Sequence, residues 1–294
     1  YHNIHDRYIE LLDKYGKYKD DIQWHFHPMS HYKEAHRAGK SYEHSETLYQ
    51  ILSRRIIDRN FFPSVFRAGC VTERPDANWF LEQWIPFDCS NFAVENENKE
   101  QYRDQRNGQA GDWRRAPSDW RIYHPDFYDY QKEGGCHRSI GRFLNIVSRY
   151  GNITSYEIEK AFQRANEGLP TLLGIFNHDF RNMGNEIEYF CDLLYDISRK
   201  YNNVSFKFAT AKEAFNAVLQ NKLSEFDLNV RLKGNELYVD TIKGCVFGPQ
   251  PYLAIKTKSG KYIHDNFDFG LDGKSWSYVF DENMIKFEDV DTFG

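Results

Sequence analysis

Between residues 5 and 220 the chain alternates two hydrophobic periods, and that alternation limits the folds open to it. Short apolar runs of strand type cover residues 21–27, 64–68, 85–88, 171–176 and 204–208. Between them, apolar residues recur at helical spacing: Tyr8, Leu11, Leu12 and Tyr15; Leu48, Ile51, Leu52 and Ile56; Ile187, Phe190, Cys191, Leu194 and Ile197. Residues 76–84 and 215–219 read as further helices. Thr154 followed by Glu157, and Thr210 followed by Glu213, have the capping-box spacing that opens a helix. Strand–helix repeats of this kind place a parallel sheet inside a layer of helices.

Polar residues gather where the strands end: His25 and His27, Arg67, Asp88 and His178. In α/β barrels that end carries the active site. One such residue is unremarkable, but four strands sharing the pattern point to a common site.

Two regions break the rhythm. Residues 89–135 are polar, carry turn signals at Asn107-Gly108 and Gly134-Gly135, and are rich in aromatic residues, which disordered segments lack. A connection that long is expected to be a functional loop, with Trp113, Trp120 and Tyr123 as substrate-binding faces. From about Leu223 short strands and turns replace the alternation, as in Glu236-Leu-Tyr-Val-Asp240 and Leu253-Ala-Ile-Lys-Thr257. The division expected is a (β/α) domain over 1–222 and a small antiparallel, sandwich-like β domain over 223–294.

The segment His25-Phe-His-Pro-Met-Ser-His31 offers three imidazoles within seven residues. Imidazole with a carboxylate and open positions for water suits zinc or another first-row divalent metal. Two registers compete: His27 with His31, and His25 with His27, whose side chains share one face of a strand. Arg67 and Asp88, each at a strand end, can form a charge pair that orients a catalytic group. His178 follows a fully apolar strand, and an imidazole there suits proton transfer at neutral pH.

The formal net charge of −5 is the reverse of a nucleic-acid binder's. No run of about 18 apolar residues occurs, so no membrane-spanning helix is expected. The five cysteines, Cys70, Cys89, Cys136, Cys191 and Cys245, are scattered and odd in number. That reads as reduced thiols, with no zinc knuckle, and a cytoplasmic setting.

The order of these parts resembles the polysaccharide deacetylase (NodB-homology, carbohydrate esterase 4-like) family. His27-Pro-Met-Ser-His31 matches that family's H-[ST]-x-x-H motif by spacing, with Pro28 in place of Ser or Thr; Asp21-Ile-Gln-Trp-His25 resembles the lead-in that would make His25 the first ligand. Phe66-Arg-Ala-Gly69 resembles the third motif through Arg67, Phe87-Asp-Cys-Ser90 the fourth through Asp88, and Phe176-Asn-His178 the last. The resemblance covers residues 5–220. It implies a distorted (β/α) barrel, a divalent metal, most simply zinc, and hydrolysis of an N-acetyl group on a sugar, glycan or sugar nucleotide. In that scheme a water activated by the metal attacks the carbonyl. Arg67 and Asp88 orient the base and acid, and His178 protonates the amine.

The family's leading Asp-Asp motif has no counterpart in the sequence. The barrel is therefore expected to be N-terminally incomplete, its metal aspartate and base coming from an upstream segment or a second chain. A barrel that binds carbohydrate without catalysis, and an unrelated metallohydrolase, are the competing expectations.

Overall fold

The computed structural model describes residues 2–27, 41–95, 110–147, 151–178, 181–221 and 226–294. It divides into two compact units. The first comprises Tyr1–Gly39, Pro63–Asn78 and Pro86–Asn221; the second comprises Lys40–Phe62, Trp79–Ile85 and Lys222–Gly294. The fold is mixed α/β, with one parallel and two antiparallel sheets.

In the first unit five strands, β1 (Trp24–Phe26), β2 (Val65–Ala68), β3 (Phe87–Asn91), β4 (Ser139–Asn145) and β5 (Gly174–Phe176), form one sheet. They are parallel and stand in sequence order, so no strand order reverses. β3 and β4 are buried on both faces except at one residue, as parallel strands between other layers must be. Side chains from non-adjacent strands meet at the carboxyl ends: the Arg67 guanidinium carbon at the end of β2 lies 4.5 Å from the ring centre of Phe176 at the end of β5.

Helix α1 spans His2–Lys14, α2 Glu46–Arg59, α3 Pro75–Trp84, α4 Ser155–Asn166, α5 Gly184–Ser198 and α6 Ala211–Val218. The Thr210–Glu213 capping box is present in full. At α4 only half of it forms. Thr154 accepts from the Glu157 N–H, but the Glu157 carboxylate turns inward to hold buried Arg142 through two bonds of 2.6 and 2.8 Å. A buried guanidinium needs a carboxylate more than an exposed helix end needs its second cap.

Two expectations change. Residues 204–208 join no ladder; Phe206 packs instead on Phe162 of α4 and Tyr195 of α5. Residues 110–138 are no open loop. Trp113, Trp120, Tyr123 and Tyr130 lie in one core with Ile140, Leu144, Ile158 and Leu194, and Tyr123 forms an antiparallel bridge with Ile140 of β4. Strand β4 carried no alternation or turn signal of its own and was not expected. It is buried along nearly its whole length, including Arg142, which is fully buried.

In the second unit β6 (Asp227–Lys233), β7 (Glu236–Lys243), β10 (Asp268–Phe269) and β11 (Ser275–Val279) form an antiparallel sheet in the order β10-β11-β7-β6. A second sheet has the order β12-β8-β9, from Val290–Phe293, Leu253–Thr257 and Tyr262–Asp265. Both sheets feed one core through Leu237, Val239, Leu253, Ile255 and Trp276. Helix α2 docks on β9, where Ser53 Oγ donates to the Ile263 carbonyl at 3.1 Å and Tyr262 OH donates to the Asp58 carboxylate at 2.8 Å. Among the described residues no helix is long and apolar enough to cross a membrane. All five cysteines are free.

A candidate metal and hydrolase site at the carboxyl ends of the strands

β1 runs parallel to β2 with His25 opposite Arg67. That register brings His25 Nδ1 to 2.8 Å from the Arg67 carbonyl. A carbonyl only accepts, so Nδ1 carries the proton and Nε2 is left as a lone pair. His25 Nε2 in turn lies 2.9 Å from His27 Nε2. The strand period that puts both side chains on one face brings about this meeting. The contact is a hydrogen bond in which neutral His27 donates its Nε2–H to the His25 lone pair. With the His27 proton moved to its other nitrogen, both Nε2 lone pairs would be free for one first-row divalent ion, whose tetrahedral ligands at about 2.0–2.1 Å stand roughly 3.3 Å apart. Desolvation, followed by the charge of Arg67, pulls His25 down to a pKa of about 4, although part of its ring remains open to solvent. The same two causes lower His27. Both shifts favour the neutral imidazole, the form that binds metal. Of the two sequence registers, the structure brings His25 and His27 together; His31 lies outside the described residues. Among the described residues no three His, Cys, Asp or Glu side chains converge on one point.

The turn after β2 holds this pair from below. Gly69 packs so closely that a Cβ there would lie 2.4 Å from His27 Cγ and 2.8 Å from His27 Cα. Cys70 and Val71 then take left-handed φ values of 53° and 48°. Left-handed backbone is costly at a β-branched residue, on the order of 1–3 kcal/mol, and persists only where its surroundings enforce it. Here they do. Trp113 Nε1 donates to the Val71 carbonyl at 2.7 Å, and the Gly111 N–H donates to the Cys70 carbonyl at 3.0 Å. The turn places Cys70 Sγ 4.0 Å from His27 Nδ1. Trp113 therefore bears on the site by pinning a turn, while its ring faces are covered by protein. Trp120 is equally buried, with Nε1 on the Glu157 carbonyl at 2.8 Å, and Tyr123 donates to the Tyr130 carbonyl at 2.6 Å. None of these three rings presents a face to a sugar.

His178 enters from β5. Its backbone N–H is held by Asn177 Oδ1 at 2.8 Å, its ring is exposed, and its charge acts on both His25 and His27. Asn177 also donates to Glu186, which Arg181 grips at 2.7 Å. Three strands are thus represented at the carboxyl end of the sheet: β1 by His25 and His27, β2 by Arg67 with Cys70, and β5 by His178, while Asp88 is the second residue of β3, toward its amino end.

Asp88 belongs to a different arrangement from the one its sequence position implies. It is 1% exposed. One carboxylate oxygen accepts from the Ser90 N–H at 2.7 Å, and the other from Arg138 at 2.9 Å. Arg138, fully buried, also binds Glu73 and donates to Asn78 Oδ1 at 2.8 Å. Burial raises Glu73 well above the usual carboxylate range, against the opposing pull of Arg138. Asp88 does not form the expected ion pair with Arg67; it meets Arg67 only through the longer-range field of its charge. Sequence reasoning missed Arg138 and Glu73. The available signal was an arginine beside an apolar strand start, Arg138-Ser-Ile-Gly, which cannot be buried without acids from elsewhere in the chain.

No protein-family model, no curated protein and no solved structure matches this chain.

Proposed function

We propose that the chain is a metal-dependent hydrolase that removes the acetyl group from an N-acetylated carbohydrate. One observation carries the reading. Two imidazoles oppose their Nε2 atoms at 2.9 Å, on the carboxyl end of a parallel sheet whose strands stand in sequence order. A parallel sheet of that order, with side chains of β2 and β5 meeting at its carboxyl end, is compatible with a (β/α) barrel of the deacetylase type, and in such barrels this end holds the chemistry.

His25 and His27 are the residues that would hold a divalent ion, most simply zinc, and His31 is the candidate third ligand. The ion would supply Lewis acidity toward an acyl oxygen and acidify a water. The remaining work falls to side chains of the chain itself. The Arg67 carbonyl fixes the His25 tautomer and aims Nε2 outward. The Gly69–Val71 turn stops His27 from rotating away. His178, exposed at its ring and held at its backbone N–H, would give a proton to the nitrogen that leaves. Asp88 and Arg138 tie the start of β3 to the approach to β4.

The test is acetate release from a panel of N-acetylated sugars, free, polymeric and nucleotide-linked, before and after chelation and with zinc, cobalt or manganese restored. Metal-dependent release that falls at least about 100-fold in His178→Ala is expected. A chain shown to be loaded with metal that releases no acetate from any member of the panel overturns the reading.

A further inference from the structure

Arg67 is an anomaly among the arginines of the first unit. The two fully buried ones are saturated. Arg138 holds Glu73, Asp88 and Asn78, and Arg142 holds Glu157 through both terminal nitrogens and the Ala93 carbonyl at 2.6 Å. Arg115 has Asp129, Arg121 has Asp119 and Glu133, and Arg164 has Asp119. The guanidinium of Arg67, which is largely sheltered from solvent, makes no hydrogen bond and no ion pair among the described residues. It lies over the Phe176 ring, and the nearby acid Asp88 is taken up by Arg138.

A sheltered cation without a counter-charge is unstable unless something supplies one. Phe176 lies against the guanidinium but accepts none of its five N–H donors, which lie in one plane. A planar fork of that kind matches a planar carboxylate through two parallel bonds. The site also offers one permanent positive charge, which suits a monoanion rather than a phosphate dianion. The position is chemically apt. Arg67 stands opposite His25 in the β1–β2 register and shares its end of the sheet with His27, Cys70 and His178.

We propose that Arg67, lying against Phe176, is a carboxylate-binding residue of this site. The carboxylate is either the acid released by hydrolysis or an acid group carried by the sugar itself. Assigning it to product or substrate rests on the hydrolase reading above. Binding of a carboxylate at Arg67 does not.

The experiment uses the full chain stripped of divalent metal by a chelator and titrated with sodium acetate, sodium formate and, as a competitor, inorganic phosphate. Binding is read from broadening of the acetate methyl resonance and from thermal shift. Saturable acetate and formate binding is expected, at least tenfold weaker in Arg67→Gln and a few-fold weaker in Arg67→Lys, which keeps the charge but loses the fork. Arg115→Gln, which removes an exposed arginine already paired with Asp129, leaves binding unchanged. Equal binding by wild type and both Arg67 variants, or phosphate binding tighter than acetate, overturns the proposal. If Arg67→Gln does not fold, Arg67→Lys and the phosphate competition decide.

A second arm uses the metal-restored enzyme. Competitive inhibition by acetate that disappears in Arg67→Gln identifies the product acid. A KM that rises about tenfold when a carboxylate-bearing N-acetylated sugar is replaced by its methyl ester, in wild type but not in Arg67→Gln, identifies the substrate acid. If neither changes while metal-dependent hydrolysis persists, the carboxylate proposal fails and the hydrolase reading stands. If carboxylate binds Arg67 but no metal-dependent hydrolysis occurs, the reverse holds.

Discussion

His25 in the first unit and His264 in the second are built on the same local device and put to different ends. Each sits on a short strand and lies within hydrogen-bond distance of a neighbouring strand's carbonyl through Nδ1, at 2.8 Å to Arg67 and 2.9 Å to Leu253. Each is pushed below the usual histidine pKa mainly by desolvation. The environment of the rest of the ring separates them. His264 is stacked between Tyr252, with ring centres 4.1 Å apart, and Tyr49, 4.9 Å away, and Trp84 meets it edge-on at 5.2 Å. His25 instead points Nε2 at His27, with Arg67 and His178 close by. A fixed tautomer and a depressed pKa are therefore not marks of a functional histidine. What sets His25 apart, on the proposed reading, is a second nitrogen donor and an open approach at the other end of the ring.

The sharpest way to break this contrast is to truncate both rings. His25→Ala and His27→Ala are each expected to lower zinc affinity at least about 100-fold, measured by calorimetry, because each removes a donor outright. His264→Ala is expected to leave zinc affinity unchanged and to lower the denaturant stability of the fold by about 2 kcal/mol, the scale of a partly buried aromatic ring lost from a stack. Zinc binding that weakens in His264→Ala, or survives in both His25→Ala and His27→Ala, would erase the distinction.

A smaller effect should come from the turn beneath His27. Gly69→Ala puts a methyl group within 2.8 Å of the His27 backbone, so ring and strand end must both give way. We expect roughly tenfold weaker zinc binding, about 1.4 kcal/mol, with little change in the stability of the second unit. The same substitution at Gly260, where a Cβ would meet nothing within 4 Å but φ is +83°, should cost only backbone strain of about 1 kcal/mol and leave zinc alone.

The sequence made part of this legible and hid the rest for identifiable reasons. Strands β1, β2, β3 and β5 and five of the helices declare themselves by period, and the polar residues at their ends mark the site. Those are local signals. The partner of Asp88 is not local: Arg138 lies fifty positions away, on the approach to a strand with no alternation because both its faces are buried. The aromatic residues of 110–138 misled for a related reason. Composition says that Trp113 and Trp120 contact something large and apolar, but only the fold says that it is protein, with each indole N–H satisfied by a backbone carbonyl. Arg67 could be placed from sequence, but its missing counter-ion could not.

The finest test of the comparison is pH. For His264 the folded-state pKa lies below 6.5, because burial beside Tyr49 and Tyr252 outweighs the acceptor at Leu253 and the nearby charge of Asp265. The unfolded chain therefore takes up a proton as pH falls past 6.5 while the folded chain resists. The contribution of His264 is complete above 6.5 and is lost as pH falls through the folded value. His25 obeys the same sign over the window from 6.5 to about 4. The two differ in what relieves them. His264→Phe keeps a ring in the stack and removes the titration, at the cost of one hydrogen bond of about 1 kcal/mol near neutral pH. The stability gap between wild type and His264→Phe should thus narrow on going from pH 7.5 to pH 5 in urea unfolding, whether or not zinc is present. The His25 part should respond to zinc, which occupies the nitrogen that a proton would take. A gap that stays constant across that range would mean that His264 is protonated in the folded state, and the likeness from which the two histidines depart would be lost.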